Sequence, residues 1–156
     1  MDFVIDDRNF RAEKLSAKQQ FHLSRKIAPL IPPLAPLFFK MSELEGKLNS
    51  TSILSLTELA EPFAEALAMM KDSDSDQVLD LTLGSVKVET TPGTWMPLWI
   101  SGMTPVIELN DLSKLLPIVF QVVRFNLEGF ISGFLTSREE PAPVSSGGIS
   151  RVRKTG

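Results

Sequence analysis

His22 is the single histidine of the 156-residue chain, and the chain contains no cysteine. Those two facts remove most site chemistry at once: disulfides, thiol nucleophiles, cysteine-ligated zinc and histidine-based metal clusters all lack their ligands. With Lys18, Arg25 and Lys26 nearby, His22 reads as a surface or boundary residue on a basic helix face. Glu58, Glu61 and Glu65 recur at helical spacing, but carboxylates from one helix without a loop ligand seldom hold a hard cation. They read as a solvated acidic face, or as one that answers the basic stripe. "KDSDSDQ" alternates aspartates as a calcium loop does at its start, yet it lacks the glycine at the sixth position and the glutamate at the twelfth, and it reads as a linker.

Gly84, Gly93 and Gly102 are scattered, with no phosphate-cradling loop followed by Lys and Ser or Thr. Trp95 and Trp99 lack the interleaved basic residues of a base-stacking platform and are expected to anchor a core. The terminal "RVRK" offers only weak, salt-sensitive contact with phosphates. A net charge of −3 and a pI near 5.2 argue against nucleic acid as a main partner. No catalytic, cofactor or metal site is expected, and the chain is read as non-enzymatic.

The elements that surround these residues are more informative. With 43% hydrophobic and 22% charged residues, the chain sits near the globular norm and is long enough for one core. The start, "MDFVIDDRNF", lacks a basic stretch followed by an apolar one, so a secretory signal is not expected. "FVIDDRNFRAEKL" predicts a small hairpin, Phe3 to Ile5 against Asn9 to Ala12, turning at Asp6-Asp7. Ser16 and Gln19 form a capping box that opens a first helix, with Leu23, Ile27 and Leu30 at core spacing and Ala17 and Phe21 alongside. Lys18, His22, Arg25 and Lys26 fall mainly on its other side.

"KIAPLIPPLAPLFFK", Lys26 to Lys40, is apolar but broken by Pro29, Pro32, Pro33 and Pro36. Its apolar part is shorter than the roughly 20 residues that span a bilayer, and no membrane role is expected. A bend at Pro32-Pro33 and a short helical turn beyond it are predicted. "SELEGKLNST" should be a surface loop, and a helix should follow from Ser55 or Thr57 to Met70. After the "KDSDSD" break, "DQVLDLTLGSVKVE" reads as helix to Gly84 and then a short strand. "TTPGTWMPLWISGMTPVIE" should be irregular. Asn110 or Asp111 caps a last long helix, "LSKLLPIVFQVVRFNLEGFISGFL", apolar nearly all round, which must be central or face a partner. Asn126 and Phe130, near its end, are expected to be buried.

The predicted fold is therefore mainly α (α+β): one compact helical domain over 1–135 with a small N-terminal β-hairpin and a long hydrophobic C-terminal helix, then a disordered polar tail over 136–156.

"FVIDDRNFRAEKLSAKQQFHLSRKIAPLIPPL" and "LLPIVFQVVRFNLEGFISGFL" together resemble the tail assembly chaperones of long-tailed bacteriophages. The first has a hairpin leading into a helix with Leu15, Phe21, His22, Arg25 and Lys26, then the turn at Ala28 to Leu30. The second is a closing hydrophobic helix ending in Asn126, Leu127, Gly129 and Phe130. The resemblance implies a protein of the infected bacterial host cytoplasm, absent from the mature virion, that coats the helical tape-measure protein, keeps it soluble and helps recruit tail-tube subunits. It also implies a family in which many members are made in a short and a frameshift-extended form. Leu37, Phe38 and Phe39 are adjacent apolar residues that one helix face cannot hide together, and they are the candidate partner-binding residues. Self-association through the apolar last helix is a further expectation. The alternatives are a structural tail or head-tail component retained in the virion, and a host-directed binding module.

Overall fold

The computed structural model describes residues 1–43, 65, 68–109 and 111–139. The chain opens with a hairpin of β1 (Asp2–Ile5) and β2 (Arg8–Ala12), paired Asp2↔Arg11 through Ile5↔Arg8. Asp6 and Asp7 both take positive φ, 48° and 61°, the handedness that matches a two-residue turn to the twist of the strands. Helix α1 (Ala17–Ile27) begins at a complete capping box: Ser16 Oγ accepts from the Gln19 N–H, and Gln19 Oε1 accepts from the Ser16 N–H. These two predictions stand.

The proline-rich stretch departs from expectation, because the chain does not bend away but stays helical. A 3-10 turn, Ala28–Leu30, passes directly into α2 (Ile31–Glu43). Pro29 sits in the first turn of the 3-10 segment and Pro32 and Pro33 in that of α2, where a missing N–H costs little. Pro36 lies inside α2. Among the described residues the next helix is α3 (Asp72–Leu83), and its first turn is the "DSDSD" segment that reads in sequence as a break. Asp72 and Asp74 there oppose the positive end of the helix dipole. The predicted loop beginning at Ser42 and the predicted helix to Met70 fall almost wholly outside the described residues.

Gly84 caps α3, and β3 (Val86–Thr91) begins two residues later, as the sequence predicts. A turn at Pro92-Gly93, with Gly93 at φ 83°, then returns the chain as β4 (Thr94–Pro97). The four strands make one antiparallel sheet in the order β1-β2-β3-β4. This corrects the expected helical domain with only a hairpin: the hairpin is half of a sheet, and the class is a mixed α+β. The reason is non-local. β2 pairs with β3 through Phe10↔Val88 and Ala12↔Val86, although α1, α2 and α3 all lie between the two strands in the chain.

The last helix, α4 (Leu112–Glu139), is the spine. Ile118 and Val122 face the sheet, joining Ile5, Phe10, Val86, Val88 and Leu98 in one buried cluster. Val123, Leu127 and Ile131 face the other helices, joining Leu23, Ile27, Ile31 and Val78 in a second. Over Lys114–Ser137 the helix is long and apolar enough to cross a membrane by length and composition. Of that stretch 44% is buried inside the molecule, including its residues in the two clusters just described. Phe130, expected to be buried, is 41% exposed, while Asn126 is buried as predicted.

Candidate functional site

The exposed aromatic and basic side chains of the candidate site are carried mainly by α1. Its capping box fixes where the helix starts, and burial of Leu23 and Ile27 then fixes its rotation. Phe21, two residues before Leu23 and so roughly 200° around the helix, is turned outward and stands 58% exposed. His22 meets its ring edge-on at 5.8 Å, and the Arg25 guanidinium lies 5.9 Å from its centroid.

Beside this face lies an open groove of about 290 Å³, lined by His22, Arg25, Lys26, Pro29, Leu30, Met69, Met70, Asp74 and Gln77. Met69 is 74% exposed, whereas Met70 packs against the helical core. One side of the groove is the end of α1 and the 3-10 turn; the other is the start of α3. The two are tied by the ion pair of Lys26 with Asp74. Lys26, donating to the carboxylate, holds Asp74 below its ordinary pKa. Among the described residues no three His, Cys, Asp or Glu side chains are grouped to hold a metal ion. The lining mixes apolar side chains, Pro29, Leu30, Met69 and Met70, with the charged Arg25, Lys26 and Asp74 and the polar His22 and Gln77.

The candidate residues lie in α2. Phe39 is 53% exposed; the side chains of Leu37 and Phe38 are not among those described. The sequence misplaced Trp95. It sits on the outer face of the sheet opposite Glu89, with the Arg11 guanidinium 4.2 Å above its ring and Asp2 paired to that same arginine. Trp99 does anchor as expected, packing against the sheet core and donating from Nε1 to Asp80 at 2.8 Å. Sequence reasoning also missed Met69 and the outward turn of Phe21. The offset of Phe21 from Leu23 and Ile27 was the signal for the second.

No curated protein and no solved structure matches the chain. A family model described as phage tail assembly chaperone protein, TAC, matches residues 6–136, which takes in β2, β3 and β4, the groove and nearly all of α4, and leaves out β1. The chain therefore belongs to the phage tail assembly chaperone family.

Proposed function

We propose that this protein binds the tape-measure protein during tail assembly, keeps it soluble and helps recruit tail-tube subunits, and that it is absent from the mature virion. The observation that carries the reading is family membership over residues 6–136. Support comes from the surface: Phe21, Phe39 and Met69 are large apolar side chains held exposed on the helical side of the molecule. A long amphipathic helix awaiting its tube presents apolar stripes that need such cover. Leu37, Phe38 and Phe39 on α2 contact that partner in this reading.

Co-expression with the tape-measure protein of the same phage tests it. The expected result is soluble tape-measure protein that co-elutes with several copies of this chain, measured by size-exclusion chromatography with light scattering. Several copies are needed because one small domain covers only a short length of helix. Changing Leu37, Phe38 and Phe39 to serine should weaken the complex more than the fold. Separate elution, or recovery of this chain at fixed stoichiometry from purified virions, would favour a structural tail component instead.

A further inference from the structure

We propose that the groove between α1 and α3 docks an amphipathic helix whose polar flank is acidic, and that this flank is read by Arg25. The inference rests on the proposed reading in taking that helix to be a segment of the tape-measure protein. Pro29, Leu30, Met69 and Met70 supply the apolar part of the groove's lining, and the exposed Phe21 adjoins two other lining residues, His22 and Arg25. Two methionines give such a surface the adaptability to accept apolar ridges of differing shape. From Phe21 to Leu30 the wall is about 13 Å long, enough for about two turns of a docked helix.

Charge selects the occupant. Two cations, Arg25 and Lys26, and one carboxylate, Asp74, line the groove, and Lys26 is already engaged by Asp74. Arg25 is exposed and has no carboxylate partner among the described residues; it leans over Phe21. Lys18 extends the same basic face toward the start of α1. This positive face belongs to a chain of net charge −3, so it is a local feature and not a consequence of overall composition. A helix with carboxylates beside its apolar stripe would place the stripe on Leu30, Met70 and Phe21 and the carboxylates against Arg25 and Lys18. A nucleic acid strand is a poor fit, because Asp74 and the methionines occupy the place where further cations would be needed.

The test uses the full chain and overlapping synthetic peptides of about 20 residues covering the tape-measure protein, titrated calorimetrically. Wild type is expected to bind peptides with acidic flanks, and to bind them about tenfold more weakly when NaCl rises from about 50 to about 500 mM. Arg25→Glu and Phe21→Ser should each weaken binding about tenfold or more with little change in melting temperature, since both side chains are exposed. Arg8→Glu makes the same change in net charge at the far hairpin and should leave binding within about twofold. Equal binding by the Arg25 and Phe21 variants, or binding confined to peptides without carboxylates, overturns the proposal, as does an effect of these variants on self-association alone. Failure of the wider reading has a separate signature: wild type itself then leaves co-expressed full-length tape-measure protein insoluble.

Discussion

Leu15 and Asn126 lie 111 residues apart and meet in one buried hydrogen bond, the Leu15 N–H donating to Asn126 Oδ1 at 2.8 Å. The other end of the same amide donates to the Val122 carbonyl at 3.0 Å. Next door, Lys14 Nζ donates to the Phe125 carbonyl at 2.6 Å and lies over the Phe125 ring. The short linker from β2 to α1 is thus fastened to the middle of α4, where the sheet cluster gives way to the helical one. Asn126→Ala would leave the Leu15 N–H buried without an acceptor, at a cost of about 1–3 kcal/mol. Urea unfolding should show that loss; an unchanged midpoint would mean that the linker does not depend on the contact.

Ile131 and Phe130 are neighbours in sequence with opposite fates, 4% and 41% exposed. Ile131→Ala should cost about 2–5 kcal/mol, as an aliphatic deletion in a core does. Phe130→Ala should cost clearly less, because part of its ring already meets water. Paired thermal melts of the two variants would check the ordering, and equal losses would contradict it.

Gly84 ends α3 so closely that an added Cβ would lie 2.4 Å from the Asp80 carbonyl oxygen, a backbone atom that cannot swing aside. Gly84→Ala should therefore lower stability by about 1–3 kcal/mol, the usual cost of overpacking. Melting of this variant at unchanged temperature would show that the helix end relaxes freely.

Four carboxylates are held below their ordinary pKa values. The Arg11 guanidinium does this for Asp2, Lys87 for Glu13, Lys26 for Asp74, and the Gly93 N–H followed by Asn9 for Glu89. A depressed folded pKa contributes stability above the unfolded value, 3.8 for Asp and 4.5 for Glu, and that contribution is lost as pH falls through the folded value. The melting temperature should accordingly drop on acidification below about pH 4.5, and Asp74→Asn should lose part of that pH dependence. Superimposable pH profiles for wild type and Asp74→Asn would refute the assignment.

The features legible in the sequence were those written in a few adjacent residues: Asp-Asp between alternating strands, Ser16 with Gln19, Gly84 at a change of periodicity. What escaped was set elsewhere in the chain. Prolines 29, 32 and 33 look like breakers, but two of them fall in the first turn of α2 and the other in that of the 3-10 segment, a phase that cannot be known before the helix starts are known. β4 was hidden because its partner is a strand just across Pro92-Gly93, and the sheet around that strand is completed by residues some 75 positions earlier, Arg11 against Lys87 among them. Trp95 looked like core for its size, yet its alternation with Met96 and Leu98 puts it on the outer face, under Arg11. At the candidate site the basic stripe was readable; the groove was not, since its second wall comes from α3 and the methionines before it.

Because α4 closes both buried clusters and comes after every other described element, the order of synthesis carries a risk. At about 5–20 residues per second, the strands and the earlier helices leave the ribosome a few seconds before Ile118, Val122, Leu127 and Ile131 emerge to cover them. Through that interval Val86, Val88, Leu23 and Ile27 have no lid. The newborn molecule carries an apolar surface waiting for a helix, and it supplies that helix itself.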